Sequence, residues 1–121
     1  MQDKSKKTIM DIKYIAKIAH AAIRELCQSF GDESQSAWDS MPHWQKQSII
    51  SRVEFLVYHP EMTEGALHDH WMAEKTLDGW QYGINKNAET KTHPCMVPYN
   101  QLPKHQRLKN ALIKAIVMVL K

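Results

Sequence analysis

Residues 68–99 read HDHWMAEKTLDGWQYGINKNAETKTHPCMVPY, and the reading of this stretch decides the fold. It opens as a helix on which His68, Trp71 and Lys75 stand three and four residues apart and so share one face. Gly79 is its stop, because glycine takes the left-handed conformation past a helix end without a Cβ penalty. The period then changes to two. Trp80, Tyr82 and Ile84 project to one side and Gln81 to the other, the pattern of a strand. Residues 85–90 form a polar turn, and Lys91, Thr92 and His93 return before Pro94. A short β-hairpin arm is predicted, its pairing limited by Pro94 and Pro98, which have no N–H to donate. Two of the chain's four tryptophans and two of its four tyrosines fall in this stretch.

Upstream, Thr63 is placed to cap that helix, whose buried stripe is read as Ala66, Ala73 and Leu77. Another helix precedes it, with Asp39 or Ser40 as cap, Pro42 in its first turn and an apolar face of Trp44, Ile49, Val53, Leu56 and Val57. It stops at His59-Pro60, since the residue before proline is pushed out of the helical region. Between Gly31 and Met41 lies a loop rich in Ser and Asp. Its Trp38 is read as a lid packed on a core edge, with a ligand contact as the alternative. The first helix starts at a capping-box-like Thr8-Ile-Met-Asp11. It carries Ile9, Ile12, Ala16, Ala19, Ile23 and Leu26, with Ile15, Ala22 and Phe30 beside them, and ends at Gly31. Downstream, Asn100 caps a short turn and Pro103 opens the last helix, with Leu108, Ala111, Leu112, Ala115, Ile116 and Val119 as its stripe. The fold class is therefore mainly α: four helices and one short hairpin, with residues 1–8 a flexible N-terminus and 9–121 a single domain.

Composition narrows the function classes. A chain of 121 residues is one domain by length and can bury a core without disulfides or metal. Cys27 and Cys95 read as small packing residues. No run approaches the roughly 18 apolar residues of a membrane span, and MQDKSKKTIMD lacks the apolar centre of a secretion signal. A cytoplasmic protein with no membrane partner is expected. The net charge of +3 is unevenly placed: residues 91–121 hold six Lys/Arg and no acid, while residues 31–78 hold nine acids against three bases. Such asymmetry suits a phosphate-bearing ligand or an acidic partner surface, or is simply a solvated helix face. The acidic middle argues against nucleic acid as the partner of the basic last helix.

The pattern His68-x-x-Trp71-x-x-x-Lys75-x-x-x-Gly79-Trp80-x-Tyr82-Gly83, followed by Lys91-Thr92-His93-Pro94-Cys95-x-Val97-Pro98-Tyr99-x-x-Leu102, resembles the ryanodine receptor repeat, the RyR domain. The resemblance covers the chain from about Ile15 onward. The chain is similar to the single-repeat proteins of bacteria and phages rather than to the tandem pairs of the receptor. It implies a helical domain with a short hairpin arm. It also implies an adenine nucleotide held between paired units, with the tryptophan at the position of Trp71 stacking on the base. A single-repeat chain would rebuild such a site as a homodimer.

Such a site needs flat aromatic faces for the base and cations for the phosphates. The candidate ligand-binding residues are Trp71, Lys75, His68, Trp80, Tyr82, Lys91 and His93. Each has a plainer alternative: packing or dimer contact for Trp71, core for Trp80, a hydrogen-bonded structural imidazole for His93. Tyr99 is read as a corner packing residue. His68 and His70 point to different faces, and no Cys-x-x-Cys or His-Glu-x-x-His occurs, so no metal is expected. No phosphate-binding loop, dinucleotide fingerprint or nucleophile elbow is present, so neither a cofactor nor an enzyme is expected. The expected function is a non-enzymatic binding module for an adenine-containing nucleotide or ADP-ribose-type signalling molecule. The alternative is a protein-interaction adaptor that uses the same aromatics.

Overall fold

The first helix, α1, runs Ile9–Ser29 in a computed structural model that describes the backbone of residues 9–121 and the side chains of residues 11–121. The capping residue Thr8 lies outside the described residues, as does the rest of the N-terminal segment. Ile12, Ile15, Ala16, Ala19, Ile23 and Cys27 are buried along one stripe of α1. Phe30, expected beside that stripe, is exposed because the helix has ended. Gly31 adopts φ +84. Its amide donates to Gln28 O, and Asp32 N–H reaches back to Cys27 O, the paired bonds of a Schellman stop.

Among the described residues the elements continue as a 3₁₀ turn at Trp38–Ser40, α2 at His43–Tyr58, α3 at Glu64–Leu77, β1 at Gln81–Tyr82, β2 at Thr92–His93, a second 3₁₀ turn at Tyr99–Gln101 and α4 at Lys104–Leu120. The expected class, mainly helical with four helices and a small two-stranded element, is what the chain adopts. The described chain divides into two compact units, one formed by the described residues up to Glu61 with Ala111–Lys121 and the other by Met62–Asn110.

In the first unit the loop after α1 is fastened by polar contacts. His20, buried on α1, donates Nε2–H to Ser36 O at 2.6 Å. Arg24 Nε–H donates to Gln35 O at 3.0 Å. Trp38 meets the His20 ring edge-on with 6.2 Å between centroids. Met41, buried at the loop's end, displaces the expected cap: α2 begins after Pro42, and neither Asp39 nor Ser40 caps it. Val53, Leu56 and Val57 are buried as expected. Trp44 is not core but 45% exposed. It precedes Val53 by nine residues, and at about 100° per residue that puts it on the opposite face of α2.

In the second unit Thr63 caps α3, its hydroxyl accepting from Ala66 N–H at 3.1 Å. The expected stripe of Ala66, Ala73 and Leu77 is not the buried one. Leu67 and His68 are buried, Ala73 is exposed, and Leu77 is 90% exposed. The inward face includes a histidine because the imidazole finds a carbonyl acceptor there, described below. The last helix is also buried in a different register from the expected one. Asn110, Ile113 and Val117 are its buried line, while Val119 is exposed. Asn100 lies inside its 3₁₀ turn rather than capping it. Pro103 O accepts from Gln106 and Arg107 N–H, so Pro103 opens α4 as expected.

The arm departs from a simple hairpin. β1 pairs with β2 in parallel, Gln81 opposite Thr92 and Tyr82 opposite His93. The amides of Gln81 and Gly83 donate to Lys91 O and His93 O. The tight reversal lies inside the connecting loop, where Asn87 and Thr92 exchange both backbone hydrogen bonds at 2.9 and 3.0 Å. Asn87 Oδ1 also accepts from Glu89 and Thr90 N–H, an Asx turn that fixes where the chain folds back. Thr92 is therefore shared by two neighbours. Pro94 ends the pairing after two residues.

Gly83 is where this packing has no slack. A Cβ there would stand 2.5 Å from Thr92 Cβ, an atom held by the backbone that cannot swing aside. Gly83→Ala is expected to cost about 1–3 kcal/mol, the usual range for overpacking, in a urea unfolding titration. Adding Thr92→Gly to Gly83→Ala removes the clashing atom and should return part of that loss. A Gly83→Ala protein as stable as the parent would show that the β1–β2 contact yields freely.

Candidate functional site

The site grows from the C-terminus of α3. Gly79, at φ +91, closes a second Schellman stop: its amide donates to Thr76 O at 3.0 Å and Trp80 N–H to Lys75 O at 2.9 Å. In this motif the side chain just past the glycine meets the one on the last turn. Here these are Trp80 and Lys75, whose Nζ lies 5.3 Å from the indole centroid, within cation–π range. Trp80 is 6% exposed, and its Nε1–H donates to Asp78 Oδ2 at 3.2 Å. Lys91 closes the same corner. Its ammonium donates to Asp78 O at 2.6 Å and lies 3.5 Å from Asp78 Oδ1. A cation on the last carbonyls of a helix complements the negative end of its dipole.

Four aromatic groups then line up with Trp80. His68 donates Nε2–H to Val97 O at 2.7 Å, so a buried polar ring is satisfied. The same ring stacks on Trp71, with centroids 5.5 Å apart and planes at 25°. Tyr99 lies on its other flank at 6.0 Å and presses against Gly65, where a Cβ would meet the Tyr99 ring at 3.5 Å. Trp71 meets His93 edge-on at 5.1 Å, and His93 meets Trp80 at 6.3 Å. Tyr99, His68, Trp71, His93 and Trp80 thus form one continuous chain of rings within the second unit. Trp71, in its middle, is half-buried.

His93 is the electrostatic centre. Its Nδ1 accepts from Cys95 N–H at 3.0 Å, which leaves the proton of the neutral ring on Nε2. Its pKa is held down to about 4 from 6.5 by burial first, then by the ammonium groups of Lys86, Lys109 and Lys75 and by His68. The ring is neutral at pH 7. Cys95 shares the setting: burial raises its thiol pKa, partly offset by Lys109 and Lys86. It therefore stays a thiol at neutral pH, and its amide occupies the His93 nitrogen that would otherwise serve it as a base.

Of the seven sequence candidates, His68, Trp71, Lys75, Trp80 and His93 are brought together. Trp80 serves as the buried support of the group rather than as an open face. Tyr82 is 57% exposed on β1, and Lys91 is engaged at Asp78. Sequence reading missed Lys86 and Lys109, which come from a loop and from α4, and Asp78, which ties Trp80 to Lys91. No local spacing links Lys86 or Lys109 to His93, so no sequence signal existed for them. Among the described residues no group of three or more His, Cys, Asp or Glu is placed to hold a metal ion. No described helix is long and apolar enough to cross a membrane.

The ring cluster and its glycine stop are the parts of the chain most particular in sequence, and they sit in a mainly helical chain with a small two-stranded element. A model of the RyR domain family matches residues 50–120. The match takes in all of α3, the arm and all of α4, and the chain belongs to that family.

The depressed pKa of His93 makes stability depend on pH with a definite sign. The unfolded ring takes up its proton near 6.5 and the folded ring only near 4. Stability is therefore complete above pH 6.5 and falls as the pH drops toward 4. After allowance for partial solvent exposure the loss is on the order of 1–2 kcal/mol. His93→Asn keeps an acceptor for Cys95 N–H but does not titrate. The difference in unfolding free energy between the two proteins should shrink by that amount between pH 6.5 and 4. A constant difference would mean that the ring is not desolvated as described.

Proposed function

We propose that the protein is a non-enzymatic binding module for an adenine-containing nucleotide or ADP-ribose-type molecule, acting as a sensor or a sequestering protein. The observation that carries this reading is the setting of Trp71. It is a half-buried indole braced face-on by His68 and edge-on by His93, with Lys75 one helical turn further along α3. A braced indole loses little side-chain freedom when a second ring is laid on it. Stacking of a base on such a ring is worth about 1–3 kcal/mol. Lys75 and the Nε2–H of His93 supply a cation and a donor for a phosphate. A stack on Trp71 has the base enclosed when a second copy of the chain covers it, which is why the working form is proposed to be a homodimer.

A second reading has its own support. Leu77, Tyr82 and Ile84 are exposed at the end of α3 and along the arm, and aromatic and apolar side chains dominate protein interfaces. In that case the chain is an adaptor, and nucleotides leave its melting temperature unchanged while a protein partner binds stoichiometrically.

Titration calorimetry with ATP, ADP-ribose and cyclic nucleotides separates the two. Binding of at least one of them is expected, with Trp71→Ala weakening it roughly 5- to 150-fold, the equivalent of one base stack. Trp71→Phe, which keeps a flat ring against His68 and His93, should retain part of the affinity and guards against simple loss of fold. Binding by Trp71→Ala equal to that of the parent, or no binding of any nucleotide, overturns the proposal. Light scattering with and without ligand reads the dimer directly.

A further inference from the structure

Strand β1 has two sides, and its partner β2 uses one of them. In a parallel ladder alternate residues turn their backbone groups toward the neighbouring strand. Gln81 and Gly83 donate to Lys91 O and His93 O on the β2 side. The amide and carbonyl of Tyr82, the residue between them, therefore point away from β2, and no described residue bonds to either. The far side of β2 is not open in this way, because Asn87 takes it up at Thr92 and Pro94 follows. Neither a charge nor a proline, two usual guards of a strand edge, stands in the open one. Residues 79–85 read GWQYGIN and carry no charge. Tyr82 is 57% exposed and Ile84, two residues on, 82%, so apolar side chains accompany the unpaired backbone groups.

The chemistry of this edge selects its occupant. It offers one donor and one acceptor, both on Tyr82. A long foreign strand would find a single residue to pair with. The same edge of a second copy, laid antiparallel about a twofold axis, matches it in full: each Tyr82 N–H donates to the other Tyr82 carbonyl. In that register Gln81 of one copy faces Gly83 of the other, which has no side chain, and Ile84 falls opposite Trp80. The nearest charged residues on the two flanks, Asp78 and Lys86, are of opposite sign. The twofold sets one against the other, so no like charges meet across the pair. We propose that two copies of the chain join edge to edge at β1, antiparallel and centred on Tyr82, so that two two-stranded sheets become one of four strands. The pairing needs no ligand and does not depend on the nucleotide reading. With one hydrogen-bonded pair and a few apolar side chains, it belongs with the small, transient interfaces.

Sedimentation velocity of the ligand-free full chain, from roughly 5 to 500 μM, tests the pairing in the range where transient contacts form. A monomer–dimer equilibrium is expected. Tyr82→Pro removes the outward N–H but spares both β1–β2 bonds, whose donors are Gln81 and Gly83, and proline is tolerated where an edge N–H faces outward. It should weaken dimerisation at least about tenfold. Ile84→Lys places a charge on the edge and should weaken it as well, which keeps the test decisive if Tyr82→Pro fails to fold. Val119→Lys, at an exposed apolar residue of α4, should leave the equilibrium as it is. Nitrogen-15 labelling of the four tyrosines reads the contact directly: the Tyr82 amide should gain protection from exchange as concentration rises. A chain that stays monomeric throughout overturns the pairing. So does a dimer that survives Ile84→Lys and a folded Tyr82→Pro, or one in which the Tyr82 amide gains no protection. A dimer that forms only with nucleotide present also overturns it and leaves the nucleotide reading standing. A ligand-free dimer lost in the edge variants, from a protein that binds no nucleotide, upholds the pairing while that reading falls.

Discussion

The second unit depends on one backbone event, the left-handed turn at Gly79. At φ +91 a residue with a Cβ is strained, so glycine is what lets the chain leave α3 in this direction. Because the turn is a Schellman stop, the geometry does more than end a helix. It places the next side chain, Trp80, over the last turn of α3 and hence over Lys75. It frees the Asp78 carbonyl for Lys91. It starts β1 in the direction that lets Gln81 and Gly83 pair with Lys91 and His93. His93 reaches the two tryptophans as a consequence of that pairing. Trp80 and His93 are thus brought to the other rings by the course of the backbone.

How much of this was legible in the sequence divides along a physical line. Signals that live within one turn of chain were readable. Thr63 as a cap, Gly31 and Gly79 as stops and Pro103 as an opener all act on their immediate neighbours. The common face of His68, Trp71 and Lys75 follows from helical spacing alone. Errors arose where burial is settled by a distant partner. His68 looks polar, yet it is buried because Val97 O, twenty-nine residues away, accepts its proton. Once His68 and Leu67 face inward, Leu77 cannot. Asn110 is also buried, in line with Ile113 and Val117, and apolar residues on nearly every side of α4 left its register open.

The arm shows a different limit. A polar turn between two short extended runs reads as a hairpin, and a hairpin reversal does exist, at Asn87 and Thr92. What sequence could not show is that Thr92 has a second neighbour. The strand beginning after Trp80 lies on its other side in parallel, a pairing that depends on the Gly79 turn and on Gly83 lacking a side chain. Lys91 is affected too. It sits at φ 55, a backbone state that lysine seldom takes, and its ammonium is committed to the end of α3. Its spacing in the motif suggested a phosphate contact, while its position makes it part of the frame. Lys86 and Lys109 are the reverse case, with no motif to mark them and with their fields meeting at His93.

A histidine among lysines raises the question of why an imidazole stands there instead of another cation. A fourth ammonium in a half-buried setting would meet both the desolvation cost and the repulsion that already hold His93 near pKa 4, and it would destabilise the fold. A neutral ring avoids that cost. It still offers a flat edge to Trp71 and Trp80, an acceptor to Cys95 N–H and a donor on its far nitrogen. The lysines carry the positive charge on long stems whose apolar part can lie along the rings. Rigidity and charge are in this way assigned to different residues. His68 and His93 are held by hydrogen bonds to backbone, Trp80 by one to Asp78, and Trp71 by the rings on either side of it. On the proposed nucleotide reading, a surface so divided loses little conformational freedom when a base is laid on it.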